Sequence, residues 1–279
     1  MKRRQITSIL LVSMIIISCS GDYDRVETNG CVLTQLEDEI NPQPTVVQLS
    51  MLLVERVRDE MPTDDITDCL ANISSERLKS EFNTEEQKKA FWLNVYNAYV
   101  QIILQENSGL FEDRNSWFGY YFFSSPQVTI AGYRMSFDDM EHGIMRRSTH
   151  KLSFGYMRNW LIDDVEKDLL WKEIDPRIHF ALNCGAASCP YVAVYDPQRV
   201  NEQLDKTTEN YLSRTTLYDE SENTAKVTKL MSWFRGDFDG LVGAKDFLRK
   251  YDIIPQDADP SLEFREYDWI MELGNFQEL

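Results

Sequence analysis

Apolar residues recur at helical spacing along much of this chain, and the pattern is clearest just after residue 45. The apolar positions there lie three or four residues apart and predict a helix over residues 46–58: Val46, Leu49, Leu53, Val54 and Val57. A proline at position 62 ends the pattern, and a second, less regular helical region is predicted over about residues 65–82. Helices therefore open the part of the chain that is expected to fold.

The longest helical pattern begins at a capping box. The hydroxyl of Thr84 can accept a hydrogen bond from a free amide of the first turn, while the side chain of Gln87 reaches back to the start of the helix. The predicted helix runs to about Gln105 and is apolar on almost every side. A helix of this kind is expected to be central and largely buried.

Three amide side chains interrupt that apolar surface. Asn94, Asn97 and Gln101 recur at helical spacing and form a stripe on one face of the helix. They are expected to be buried amides that bind the backbone of a neighbouring loop, because an unpaired buried amide is costly. The alternative places Asn97 beside a pocket, where it would orient a histidine or a substrate carbonyl.

The remaining patterns are shorter and mix strands with helices. Two β-like runs come first, at residues 120–123 and 128–135. A short helix capped by Ser136 and Asp139 follows over residues 136–147, and a longer helix over residues 156–171. The pattern then predicts an apolar strand at residues 177–183, a helix opened by Asp196-Pro197 at residues 196–212, a strand at residues 225–230 and a helix at residues 244–251. Helices outnumber strands and do not alternate with them regularly. The predicted class is α+β, helix-rich, with a small and mostly antiparallel sheet.

The N-terminal residues read as an export signal. A basic start, Lys2-Arg3-Arg4, precedes an apolar run, residues 9–17, that is too short to span a bilayer as a mature helix. The run ends in Ile16-Ile17-Ser18-Cys19, which resembles a bacterial lipobox. In such a signal the leader is cleaved before the cysteine, and the cysteine then receives lipid. Cys19 is therefore the predicted lipidation site.

This signal sets the expected organisation and location. Residues 1–18 are the predicted leader, residues 19–44 a polar tether, and residues 45–279 a single α+β domain. The protein is expected at the bacterial cell envelope, on the periplasmic face or the cell surface, with the membrane as its partner through the lipid on Cys19. Four further cysteines would then lie in an oxidising compartment, where disulfides are permitted: Cys31, Cys69, Cys184 and Cys189.

The charge of the chain argues against nucleic-acid binding. The formal net charge is −17, and removal of the basic leader would make it more negative. Such a surface repels nucleic-acid phosphates and anionic lipid headgroups, so no nucleic-acid partner is expected.

The segment from Asp175 to Pro190 contains the highest density of potentially reactive side chains. An apolar run containing His179 leads into a loop of small residues that is bracketed by Cys184 and Cys189. A histidine and two cysteines this close together indicate one of four things: a reactive thiol, a disulfide, a metal site or a packed core.

Strand geometry limits the thiol interpretation. If residues 177–183 form a strand, His179 and Asn183 point to one face, while Phe180, Leu182 and Cys184 point to the other. His179 could then reach Cys184 only if the chain turned at the cysteine. Otherwise His142 would supply the imidazole for Cys184, or the loop would bring Cys189 back to His179.

Three chemical hypotheses follow. A thiol nucleophile at Cys184 would be activated by a nearby imidazole, with loop amides as oxyanion donors. A Cys184–Cys189 disulfide would instead clamp the loop and remove both thiols from chemistry. A zinc ion held by His142, His179, Cys184 and Cys189 is the third, although these spacings do not match compact zinc patterns. No other cofactor is expected.

Three of these stretches resemble the family known as domain of unknown function 547. Residues 91–98, 135–146 and 175–190 are similar to its successive motifs, and the similarity spans about residues 85–215. Two weaker matches follow at residues 233–238 and 267–269. The motif residues carried over from the family are Asn94, Asn97, Glu141, His142, His179, Asn183, Cys184 and Cys189.

The resemblance implies an exported protein whose scaffold is loosely similar to papain-like and transglutaminase-like thiol enzymes. Asn94 and Asn97 stand where a nucleophile is expected on the leading helix, so Cys184 would have to attack from a permuted position. A fold alone does not fix a function.

The leading hypothesis is a thiol-dependent hydrolase or acyl transferase that acts on a peptide, amide or ester bond. Cys184 would be the nucleophile, His142 or His179 its base, and Asn97 and Glu141 the supporting groups. Substrate contacts would come from three further side chains: Asn94, Asn183 and Arg177. The alternative is a non-catalytic surface binding module in which the Cys184–Cys189 disulfide is structural.

Overall fold

A computed structural model describes residues 31, 43–112, 121–160, 162 and 164–279. The predicted leader, the predicted lipidation site Cys19 and most of the predicted tether lie outside the described residues. Within the described ranges, no helix is both long and apolar enough to cross a membrane. The predicted α+β class is confirmed.

Four helices open the described chain: α1 (Val46–Arg58), α2 (Asp64–Asn72), α3 (Ser75–Glu81) and α4 (Glu85–Glu106). The predicted capping box is confirmed, since the Thr84 hydroxyl accepts from the Gln87 amide and the Gln87 side chain accepts from the Thr84 amide. Thr45 and Gln48 form a second capping box at the start of α1. Local sequence therefore fixes where both helices begin.

Helix α4 lies in the main core, as its apolar pattern predicts. Phe91, Trp92 and Leu93 are successive residues around the helix, and none of the three is exposed. Helix α1 packs along α4 with its own apolar face, which includes Leu49 and Leu53. Burial of each such large side chain stabilises the fold by about 1.5–3 kcal/mol.

The middle of the chain is built from short elements. Helices α5 (Gly109–Glu112) and α6 (Tyr121–Ser124) precede the antiparallel hairpin of β1 (Val128–Ile130) and β2 (Tyr133–Met135). A π-helix (Asp139–Met145) and a 3₁₀ turn (Lys151–Ser153) follow.

Two predictions in this stretch are wrong. The described part of the predicted run at residues 120–123 is helical, since short apolar runs do not separate helix from strand. The run at residues 128–135 is two strands rather than one, because the chain turns at Ala131-Gly132 with positive φ at both residues.

Two further predictions fail between residues 156 and 183. The helix predicted over residues 156–171 is reduced, among the described residues, to α7 (Asp164–Leu169). The predicted strand at residues 177–183 is a 3₁₀ helix (Pro176–Phe180) instead. Its sequence carried a helix-start signal, because Asp175 caps the Arg177 amide and a proline occupies the first helical position.

The C-terminal part forms a small mixed sheet with helices around it. Its elements are α8 (Val200–Thr215), β3 (Leu217–Asp219), β4 (Thr224–Val227), α9 (Leu230–Trp233), α10 (Gly240–Lys250) and β5 (Ser261–Phe264). Strands β3 and β4 are antiparallel, whereas β4 and β5 are parallel with Ala225 opposite Leu262. Helix α8 begins later than the predicted Asp196-Pro197 start, and β4 ends before the predicted residue 230.

Two groups of buried side chains form the interior. The larger group surrounds α4, and the smaller one joins Phe180 to α8, β4 and α10. Tyr267 packs against both groups. The candidate catalytic residues meet at the boundary between these two groups.

Candidate functional site

Residues from separate parts of the chain line one half-open pocket of about 350 Å³. Its ionisable lining comes from the start of the π-helix, from the 3₁₀ turn that follows it and from the 3₁₀ helix at residues 176–180: Asp138, Glu141, His142, Lys151 and His179. The half-buried Cys184 also lines it. The structure thus brings together four of the predicted catalytic residues: Glu141, His142, His179 and Cys184.

The π-helix places Glu141 and His142 side by side at the pocket. Ser136 and Asp139 fix its start, because the Asp139 carboxylate accepts from the Ser136 amide at 2.7 Å and the Ser136 hydroxyl accepts from the Asp139 amide. This is the predicted capping pair, and it is confirmed. The wider π-helical turn is common at functional sites because it displaces side chains from regular helical register.

A buried ionic network holds both histidines. Arg146 donates to Asp237 through two nitrogens, at 2.6 and 3.1 Å, and the other Asp237 contact is the Nε2 atom of His179 at 2.8 Å. The Asp237 side chain is fully buried. The Arg146 and His179 partners lower the pKa of Asp237 to about 2 against the effect of burial. Asp237 is therefore ionised at neutral pH.

These partners fix the tautomers of the two imidazoles. A guanidinium cannot accept a hydrogen bond, so the contact between Arg146 and Nδ1 of His142 leaves the His142 proton on Nε2. The ionised Asp237 cannot donate, so His179 carries its proton on Nε2 and its lone pair on Nδ1. Burial and the Arg146 charge lower the pKa of His142 well below its usual value, and burial lowers that of His179. Both imidazoles are neutral at neutral pH.

Glu141 is the least compensated charge of the pocket. It forms no ion pair within 4 Å among the described residues, whereas its neighbour Asp138 pairs with Lys151 at 2.5 Å. Burial raises the pKa of Glu141 to about 7, although Arg146 acts against that rise. Glu141 also interacts with Tyr96, whose own pKa burial raises well above its usual value. Near pH 7 the pocket therefore holds a carboxyl group that is poised between its two protonation states.

Cys184 and Cys189 form a disulfide at the edge of the pocket. The Tyr267 hydroxyl lies 3.6 Å from the Cys184 sulfur and 3.3 Å from the Cys189 sulfur. His179 and Cys184 both line the pocket and do not lie on opposite faces of a strand, because residues 176–180 are helical. In this oxidised form neither sulfur is a nucleophile. A second disulfide joins Cys31 to Cys69 in the main core.

The amide stripe of α4 lies outside the pocket lining. Asn97 accepts from the Asn183 amide and donates to the Ala181 carbonyl, so its side chain clamps the chain that leads to Cys184. Asn94 makes the same pair of bonds to the backbone of Tyr195. Asn94 and Asn97 of the stripe therefore bind neighbouring backbone, as their spacing on a buried helix predicts.

Two predicted substrate contacts also lie elsewhere. The Asn183 side chain donates to the Pro190 carbonyl and accepts from the Gly185 amide, which shapes the loop between the two cysteines. Arg177 pairs with the buried carboxylate of Asp175 and donates to the Asn201 carbonyl. Neither residue is part of the pocket lining.

The zinc hypothesis finds no support in the geometry. Among the described residues, which include all four proposed ligands, no three His, Cys, Asp or Glu side chains are grouped to hold a metal ion. Cys184 and Cys189 are bonded to each other.

Sequence reasoning missed two parts of the site. Asp237 gave no signal of its own, although it lies in the weak motif match at residues 233–238. The aromatic wall had no sequence signal beyond the weak matches at residues 233–238 and 267–269. In the structure Trp233 and Phe234 line the pocket with Tyr267 and Trp269. Phe234 stacks on His179 with ring centres 3.9 Å apart.

Comparison with known proteins gives one match. Residues 80–212 match the family model described as protein of unknown function, DUF547, so the resemblance seen in the sequence is confirmed. No curated protein and no solved structure matches the chain. The match covers α4, the π-helix, the 3₁₀ helix and both pocket cysteines, but it ends before Asp237 and the aromatic wall.

Proposed function

We propose that this chain, which belongs to the DUF547 family through residues 80–212, is a ligand-binding module of the bacterial cell envelope. Its pocket would take a small molecule with an apolar body and a protonated amine. The observation that carries the proposal is the pairing of an aromatic wall with a carboxyl group, Glu141, that has no cationic partner within 4 Å among the described residues.

The aromatic wall supports an apolar and cationic ligand. Trp233, Tyr267 and Trp269 pack around one another with ring centres 4.8–5.8 Å apart, and all three face the pocket. Aromatic faces attract cations and also bury apolar groups. A pocket of about 350 Å³ suits a molecule of roughly drug-fragment size.

The electrostatics support a cation rather than an anion. Lys151, whose ammonium group lines the pocket, is already paired with Asp138. Burial, by contrast, raises the pKa of Glu141. A bound ammonium group would replace the lost solvation of the Glu141 carboxylate. A neutral ligand with a hydrogen-bond acceptor would instead favour protonated Glu141.

Calorimetry with a matched pair of probes tests this proposal. Phenethylammonium and phenethyl alcohol share an apolar body and differ in the polar group. At pH 8 we expect the ammonium probe to bind about tenfold more tightly than the alcohol, because a charge-assisted hydrogen bond is stronger than a neutral one. Glu141→Gln should remove that preference. Equal binding of the two probes, or no binding of either, would reject the proposal.

One observation favours a second candidate, the thiol-dependent hydrolase or acyl transferase. Cys184 lines the same pocket as His179, and the Asp237 carboxylate fixes the His179 tautomer with a free lone pair on Nδ1. His142 is the weaker base, because its Nε2 keeps the proton. A dithiol reductant would first have to open the disulfide. His179 would then take the proton of the Cys184 thiol, and the resulting thiolate would add to the carbonyl carbon. The bond to the leaving group would break as His179 returns the proton to it, and water or an acyl acceptor would release the acyl group from Cys184.

Thiol labelling separates the two candidates. If Cys184 is a nucleophile, mild reductant should expose one thiol that reacts quickly with iodoacetamide at neutral pH, and Cys189→Ser should expose it without reductant. His179→Ala should slow that labelling. Sulfurs that react only after denaturation would reject the thiol enzyme and leave the binding module.

Lipid attachment at Cys19 is part of the proposal as well. Metabolic labelling with an alkyne fatty acid should tag the protein, and Cys19→Ala should abolish the tag. Labelling that persists in the variant would reject Cys19 as the anchor.

A further inference from the structure

Large apolar side chains stand exposed in the segment that follows Lys151 and that contributes Phe154 to the pocket lining. Four of them lie within seven residues, and their exposed fractions are 47% for Phe154, 60% for Tyr156, 62% for Met157 and 93% for Trp160. Scattered exposed apolar residues are ordinary, but a contiguous group of this size marks a contact surface.

A second loop extends the same surface. The Phe154 carbonyl accepts from the Gly236 amide at 2.7 Å, and a Cβ on Gly240 would lie 3.5 Å from the Tyr156 hydroxyl. Directly after Gly240, Leu241 is 45% exposed and Val242 is 73% exposed. We call these six side chains the rim surface: Phe154, Tyr156, Met157, Trp160, Leu241 and Val242.

The charge around the rim surface differs from that of the whole chain. Between residues 154 and 160 the one charged residue is Arg158, although the chain as a whole carries −17. Arg158 is exposed and forms no ion pair among the described residues. Arg235 lies over the Phe154 ring at 4.6 Å and likewise lacks a carboxylate partner within 4 Å in the described ranges. Tryptophan, tyrosine and arginine side by side are typical of proteins that sit in the headgroup region of a bilayer.

We propose that the rim surface docks on a phospholipid bilayer that contains anionic headgroups. The apolar side chains enter the boundary between headgroups and acyl chains, and Arg158 and Arg235 meet lipid phosphates. Phe154 belongs to both the rim surface and the pocket lining, so docking brings the pocket mouth to the membrane surface. The inference stands on the rim surface itself and does not require the proposed amine ligand.

The predicted anchor is compatible with this docking. The Cys31–Cys69 disulfide ties the chain to the domain at residue 31, which is twelve residues after Cys19. Twelve residues span at most about 40 Å when fully extended. A lipid on Cys19 would therefore hold the domain within about its own diameter of the bilayer.

Fluorescence quenching on the full-length protein in vesicles tests the proposal. Vesicles of phosphatidylcholine and phosphatidylglycerol would carry bromine on the acyl chains, and the signal of Trp160 is the difference between the wild type and Trp160→Phe. We expect that difference signal to shift to shorter wavelength and to lose most of its intensity. Pure phosphatidylcholine vesicles should give a smaller loss, because Arg158 and Arg235 then lack anionic headgroups.

Matched variants make the result specific. Arg158→Glu should reduce the Trp160 quenching, whereas Arg134→Glu, which reverses another exposed arginine away from the rim surface, should not. Met61→Ser alters an exposed apolar side chain elsewhere and should likewise have no effect. A Trp160 signal that stays solvent-like and unquenched would overturn the proposal. A Trp160 signal that changes with the amount of protein per vesicle and not with bromine would also overturn the proposal, because the change would then come from contact with a second copy of the chain.

Discussion

The clearest stability test concerns Glu141. Its pKa is about 7 in the folded protein, against an ordinary value of 4.5. Between these two values the folded state holds a proton that the unfolded state has lost, so the contribution of Glu141 to stability falls as the pH rises. Each pKa unit corresponds to 1.36 kcal/mol, which gives a loss of about 3 kcal/mol above pH 7. This figure is an upper bound because Glu141 is only half-buried.

Glu141→Gln keeps the shape of the protonated side chain and removes the titration. We expect the variant and the wild type to have similar free energies of unfolding at pH 4.5. At pH 8 the variant should be more stable by about 3 kcal/mol at most. Urea unfolding followed at four or five pH values measures the difference.

Glu222→Gln serves as the control for the substitution itself, since it replaces an exposed glutamate far along the chain. If the Glu141→Gln difference is flat between pH 4.5 and pH 8, the reasoning about burial of Glu141 is refuted. A variant that is less stable than the wild type at pH 8 would refute it more strongly.

Three further changes address the groups behind the pocket. Asp237→Asn should destabilise the fold by about 3–5 kcal/mol in urea unfolding, because it leaves the buried Arg146 charge uncompensated, whereas the exposed Asp239→Asn should cost little. Asn97→Ala should cost about 2 kcal/mol through two lost backbone bonds while probe binding in the remaining folded protein persists; a loss of binding at unchanged stability would place Asn97 in the site. Gly155→Ala should lower the melting temperature and weaken binding, because its Cβ would lie 2.5 Å from the Asp237 carboxylate at a φ of +93°; an unchanged melting temperature would contradict that packing.

Structural features could be predicted best from the sequence where they depend on neighbouring residues. The capping box at Thr84 and the all-round apolar pattern of α4 both depend on residues within a few turns, and both are confirmed. The capping pair of Ser136 and Asp139 is confirmed for the same reason. These local signals were enough to place Glu141 and His142 on one short helix.

The apolar run at residues 177–183 shows why the rest could not be predicted. Its length and composition suit a strand as well as a short helix, and Asp175 and Pro176 were the signals that favoured the helix. The error mattered, since it placed His179 and Cys184 on opposite faces. The helix removes that obstacle.

Asp237 shows a different limit. Its partner His179 is 58 residues away along the chain, and nothing near Asp237 indicates a buried ion pair. The parallel pairing of β4 with β5 is similar, because it also joins distant segments. The amide stripe lies between these cases: both of its possible roles were evident from spacing, and only the folded structure shows that Asn97 binds backbone.

Proton exchange on ligand binding reports on the pairing of a cationic ligand with Glu141. In the proposed complex the cation meets the Glu141 carboxyl, whose pKa is about 7. Calorimetry of phenethylammonium at pH 7 in buffers with different heats of ionisation counts the protons exchanged. We expect about half a proton to be released per ligand bound, because about half of the Glu141 side chains are protonated beforehand. Proton uptake, or binding with no proton exchange, would contradict the pairing of the ligand with Glu141.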